Sequence, residues 1–145
     1  MHEEEIVNRV AQYLKAMGWQ IRSLHYPGAQ GGLSLRRARR RRVVPDIVAT
    51  KDGVGVLVVE VKSFFDGADA AKALAVARSA EFEEERTRLS QILQAEGPWF
   101  AAVAFAGPGP PNPPAGVAML IVGPEGVDVQ AAPLELSPHL SSLPS

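Results

Sequence analysis

The stretch from Val54 to Lys62 (VGVLVVEVK) limits what this chain can become more than any other segment does. It is apolar and largely β-branched on both of its alternating faces. Such a run predicts a strand inside a sheet, with a packed layer on each side. Two charges interrupt it near its end. Side chains alternate along a strand, so Val54, Val56, Val58, Glu60 and Lys62 share one face. Burying a lone carboxylate or ammonium costs roughly several kcal/mol, and pairing the two is weak evidence for stability. Charges at that position call for a functional reason or for a strand that emerges into water there.

The preceding segment, Val43 to Thr50 (VVPDIVAT), reads as a second strand, with Pro45 near its start where proline is tolerated. Lys51-Asp52-Gly53 is a hairpin signal between the two. The loop length decides where Asp46 points. A three-residue loop pairs Thr50 with Val54 and Asp46 with Val58, on the Glu60 face. A two-residue loop turns Asp46 to the other face, because a slip of one residue reverses every side chain. Gly53 suits the left-handed position of a three-residue loop, so that register is expected.

The rest of the chain reads as alternating helices and strands. Ile6, Val10, Tyr13, Leu14 and Met17 recur at helical spacing over about residues 2–17, and Gly18 ends that helix. Residues 19–26 are a strand candidate. A helical region is expected over about 68–95, stopped by Gly97-Pro98, with Gln91 on its surface. Apolar strands follow at 99–106 and 117–122, separated by a proline-rich loop, and a short last strand is expected at 126–130. Trp19 and Trp99 read as core residues, and His25 as a structural residue at a strand end. The pattern predicts an α/β fold with helices against a mixed sheet. A single domain over residues 1–130 and a loosely ordered tail over 131–145 are expected.

Composition narrows the chemistry. There is no cysteine, so any metal must sit on oxygen or histidine. No run approaches the roughly 18 apolar residues of a membrane span, and the acidic start MHEEEIVNRV has no signal-peptide pattern. A cytoplasmic location without membrane association is expected. The formal net charge is −1, yet six of the seven residues from Arg36 to Arg42 are arginine. Arg36, Arg37, Arg39, Arg40, Arg41 and Arg42 are suited to neutralising phosphates. A solvated loop without a ligand explains such a run equally well.

Two carboxylates and a lysine within a few ångströms suit metal-assisted phosphodiester hydrolysis. Asp46 and Glu60 would hold Mg²⁺ or Mn²⁺ through oxygen, and Lys62 would orient a water and offset phosphate charge.

Pro45-Asp46 followed, after a glycine hairpin, by Glu60-Val61-Lys62 resembles the PD-(D/E)xK nuclease superfamily. Gly18-Trp19, the basic loop over 27–42, PDIVA at 45–49 and EVKS at 60–63 together resemble the archaeal Holliday junction resolvases. The resemblance covers about residues 3–63, and beyond Lys62 only the order of elements is shared. It implies a restriction-endonuclease-like α-β-β-β-α-β core, dependence on Mg²⁺ (or Mn²⁺), and a carboxylate-lysine site in which the Val61 backbone carbonyl joins Asp46 and Glu60 as a metal ligand. It also implies a DNA substrate, with branched or damaged DNA among the candidates and RNA left open, and it allows a homodimer. Many members add a glutamate from the first helix. At about 100° per residue, Glu3 lies on the side of Val10 and Leu14, Glu4 faces solvent and Glu5 takes the opposite flank, so Glu3 is the candidate. Glutamates in a first turn also simply favour the helix dipole. Two other functions fit the same fold: a nucleic-acid-binding module without catalysis, and a protein-interaction domain using the proline-rich loop.

Overall fold

The computed structural model describes residues 1–26, 33–36 and 42–144. Helix α1 (Glu3–Ala16) carries Glu3, Glu4 and Glu5 in its first turn, where their charge complements the helix dipole. Gly18 follows its end with φ +90°. The Trp19 N–H then reaches back to the Leu14 carbonyl and the Gly18 N–H to that of Lys15. That double closure needs a left-handed residue, which glycine adopts without strain.

The strands are β1 (Gln20–Leu24), β2 (Leu35–Arg36), β3 (Arg42–Val43), β4 (Ile47–Lys51), β5 (Gly55–Lys62), β6 (Trp99–Phe105), β7 (Val117–Gly123), β8 (Gly126–Ala131) and β9 (Leu143–Pro144). Seven form one open sheet in the order β1-β4-β5-β6-β7-β8-β9, and β2 and β3 form a separate two-stranded ribbon. The sheet is mixed: β5-β6 and β6-β7 are parallel and the other pairs antiparallel. Helices α2 (Gly67–Arg78) and α3 (Glu83–Leu93) make the crossover from β5 to β6 that a parallel pair requires. The expected α-β-β-β-α-β order is present as α1, β1, β4, β5, α2 and β6.

Each face of the sheet has its own core. On one, Ile47, Leu57, Val59 and Val61 pack against Ile6, Val10 and Leu14 of α1. On the other, Val48, Val56, Val58 and Phe105 pack against Ala70, Ala73 and Val76 of α2 and Leu89 of α3. β5 is buried on both faces, as its composition requires. Trp19 and Trp99 are buried, with indole N–H groups donated to the His139 carbonyl and the Ser90 hydroxyl. Gln91 is exposed.

Three expectations are corrected. The helical region over 68–95 is not one helix. Ser79 takes extended angles (φ −68°, ψ 142°) and its hydroxyl accepts the Glu81 N–H at the start of a 3-10 turn, Ala80–Phe82. Arg86 donates to the carbonyls of Val76 and Ser79 at the break, the latter also accepting the Phe82 N–H. The hairpin register differs by two: Thr50 pairs with Val56, and Lys51 with Gly55. Val54 closes a turn onto the Lys51 carbonyl instead of pairing. Two distant anchors account for this. The Lys51 ammonium donates to the Met17 carbonyl at 2.8 Å, and Gly55 lies so close to Pro98 that a Cβ would sit 2.0 Å from its carbonyl oxygen. Finally, residues 132–142 are not a loose tail. Leu136 and Leu140 are buried in the α1-side core, and the Tyr13 hydroxyl donates to the Ser141 carbonyl at 2.8 Å.

Candidate functional site

A shift of two residues preserves the face on which each side chain lies. Continuing from the pair Ile47 and Val59, Asp46 stands across from Glu60 on the α2 side of the sheet. Asp46 has left the ladder in a bend, and its carboxylate accepts the Val61 N–H at 2.7 Å. The side chain thus replaces the backbone partner that β4 no longer supplies. A strand residue directs its N–H and its carbonyl to the same side, so the Val61 carbonyl faces the region beside Asp46.

Glu60 is 4% exposed. Burial pushes its carboxyl up to about 8, the neighbouring Asp46 carboxylate adds to the rise, and Lys72 opposes it. Lys72 of α2 places its ammonium 3.5 Å from Glu60 Oε2. Glu60 Oε1 is buried and has no hydrogen-bond partner among the described residues. Lys62 shares the Glu60 face by alternation and is half-buried. Asp69, in the first turn of α2, lies in the same field. Burial raises its carboxyl, Lys62 and Lys72 lower it, and Asp66 and Asp46 raise it further. Its Oδ2 is likewise buried and unpartnered among the described residues.

Among the described residues, no three His, Asp or Glu side chains form a group that could hold a metal ion as they stand. The pair Asp46 and Glu60 nevertheless fits a hard divalent cation. Two adjacent carboxylates, an unpaired buried oxygen and a nearby backbone carbonyl form an oxygen donor set that the one Lys72 contact leaves partly unsatisfied. Glu3, on α1, is not part of such a group among the described residues. It is half-buried while Glu4 and Glu5 are exposed, in line with the angular argument. But α1 packs on the opposite face of the sheet, and Glu3 lines a surface hollow with His2 and Ser63.

No family model and no curated protein matches the chain. A solved structure, that of a protein of unknown function from Silicibacter pomeroyi, is similar at 20% identity and a TM-score of 0.42, over 92% of this chain and 73% of its own.

Arg37, Arg39, Arg40 and Arg41 lie outside the described residues. The backbones of Arg36 and Arg42 pair with each other in the β2-β3 ribbon. Leu35 of that ribbon is buried in the α2/α3-side core. The β2-β3 ribbon therefore lies on the same face of the sheet that carries Glu60. His25 extends β1 by one residue: its N–H donates to the Asp46 carbonyl at 2.8 Å, and its Nδ1 is buried without a partner among the described residues.

Asp69 and Lys72 are the functional candidates that the periodicity did not reveal. A signal was present in the sequence. They are the only charged residues between Gly67 and Ala77 in an otherwise small and apolar helix. A helix that follows β5 directly in a parallel crossover must start over the end of that strand.

Proposed function

We propose that this chain is a metal-dependent nuclease of the PD-(D/E)xK type that hydrolyses phosphodiester bonds in DNA. One observation carries the proposal: the Asp46 and Glu60 carboxylates meet at the end of the β4-β5 hairpin, with Lys62 on the same face of β5. Asp46, Glu60 and the Val61 carbonyl would hold Mg²⁺ or Mn²⁺. When bound, the ion supplies a water of lowered pKa and offsets charge on the phosphate. The Val61 N–H holds the Asp46 carboxylate in place. The Lys62 ammonium orients the attacking water and stabilises the charge that develops on the phosphate oxygens. One P–O bond forms from water and one P–O ester bond breaks, leaving a hydroxyl and a phosphate monoester. The arginines from Arg36 to Arg42 would bind the nucleic-acid backbone electrostatically, and a homodimer would present two such sites. No helix among the described residues is long and apolar enough to cross a membrane.

A second function has its own support. The Lys72 ammonium already stands 3.5 Å from Glu60 Oε2, beside the place a metal ion would take, as it would in a nucleic-acid-binding module without catalysis. Incubating the purified protein with plasmid and branched DNA in Mg²⁺ or Mn²⁺ separates the two. Cleavage that disappears in Glu60→Ala supports the nuclease. Salt-sensitive binding without cleavage under either metal favours the binding module, and cleavage retained in Glu60→Ala rejects a mechanism centred on this carboxylate pair.

A further inference from the structure

Lys72 is the least expected member of the site. Its side chain is 46% exposed, yet its ammonium turns inward to Glu60, whose side chain is 5% exposed. The 3.5 Å separation is that of a charge contact rather than a short hydrogen bond. Lys72 leaves Glu60 Oε1 unpaired and makes no contact with the Asp46 carboxylate in the hydrogen-bond pattern of the described residues. Asp46 spends its Oδ2 on the Val61 N–H. One flexible cation thus stands against a pocket of two carboxylates and satisfies it only in part.

We propose that Lys72 is an exchangeable counter-ion: its ammonium occupies the cation position at Glu60 in the metal-free protein and is displaced into solvent when a divalent cation binds between Glu60 and Asp46. This rests on the function proposed above and adds a built-in competitor to it. Three features favour exchange over a permanent ion pair. A divalent cation gains twice the Coulomb attraction of an ammonium at the same distance. The lysine stem is long and half-exposed, so its head reaches water without moving α2. The partner it abandons is not left bare, because the incoming ion takes up both carboxylates.

The exchange is read directly by amine labelling. Wild-type protein is treated with a limiting acylating reagent, with and without Mg²⁺, and each lysine is quantified by mass spectrometry. Lys72 is expected to label several-fold faster with Mg²⁺, while Lys15 and Lys51 keep their rates. In parallel, Mn²⁺ affinity is measured by electron paramagnetic resonance over a range of pH for the wild type and Lys72→Met, which keeps most of the side-chain stem, and the pH-independent limits, where Glu60 is ionised in both, are compared. Removing one positive charge about 6 Å from a divalent ion in a water-like dielectric is expected to tighten binding on the order of tenfold. A metal-binding protein whose Lys72 labelling ignores Mg²⁺, or whose Lys72→Met variant binds Mn²⁺ no more tightly, overturns the exchange and leaves the nuclease proposal standing. Absence of Mg²⁺ and Mn²⁺ binding in both proteins overturns both.

Discussion

The Asp46 carboxylate accepts the backbone N–H of Val61 at 2.7 Å, one residue past Glu60 in the chain. This bond joins the start of one hairpin arm to the end of the other, where the regular ladder has stopped. It makes Asp46 both a stabilising group and a candidate metal ligand, and the two roles separate by mutation. Asp46→Ala leaves a strand N–H without a partner and is expected to cost about 1–3 kcal/mol. Asp46→Asn keeps an acceptor oxygen and loses only the charge. Urea denaturation should show a lowered midpoint for Asp46→Ala and a near-wild-type one for Asp46→Asn, while neither variant cleaves DNA. Equal destabilisation by both substitutions contradicts the dual role.

The raised carboxyl of Glu60 makes stability fall with pH in a defined window. Its ordinary value is 4.5 and in the fold it is about 8. Between these values the folded protein holds a proton that the unfolded chain has released. Its contribution is full below pH 4.5, declines as pH rises, and is gone above about 8. Asp69, also raised, acts in the same direction. Glu60→Gln should therefore be more stable than the wild type at pH 8 by a few kcal/mol, in order of magnitude, with most of the slope removed. Denaturation from pH 5 to pH 9 without divalent metal checks this. A wild-type profile flat across that range removes the basis for a buried, protonated Glu60.

Divalent cations should reverse that loss. An ion that binds only the folded, ionised site stabilises it by mass action. Melting temperature is expected to rise with Mg²⁺ at pH 8, and much less at pH 5, where the proton competes. Glu60→Gln should show little response at either pH. An equal Mg²⁺ effect in wild type and variant places the ion elsewhere on the protein.

Lys62 and the arginine run act on different quantities. Removing a group that stabilises developing charge typically costs about 10²–10³ in rate, so Lys62→Met should lower cleavage by that order and leave DNA affinity nearly intact. Replacing Arg39, Arg40 and Arg41 with serine should instead weaken binding and reduce the salt slope by about 0.9 for each phosphate no longer neutralised. Cleavage kinetics together with binding titrations over a range of salt distinguish the two. A Lys62→Met variant that only weakens binding would move Lys62 out of the chemistry.

Leu136 is fully buried although it lies beyond the last long strand. Leu136→Ala should cost about 2–5 kcal/mol, as for other buried leucines. A chain ending at residue 131 should unfold at markedly lower denaturant, because Leu136, Leu140 and the Ser141 carbonyl all contact the α1 side. Unchanged stability on truncation contradicts that packing.

Local pattern carried much of this protein. The two-faced apolar run of β5 required a central strand, and Gly18 marked the end of α1. Alternation with a period of two placed Glu60 and Lys62 on one face, and any even register places Asp46 there as well. Those features follow from backbone geometry over a few residues. The register itself did not follow, because it rests on Lys51 reaching Met17 and on Gly55 fitting beneath the Pro98 carbonyl. Only the tertiary structure put the Lys72 ammonium 3.5 Å from Glu60, seated Glu3 in a hollow beside Ser63, and folded the last segment onto α1. In each of those cases the partner is distant in sequence, and no short-range periodicity encodes which distant side chain will fill a given space.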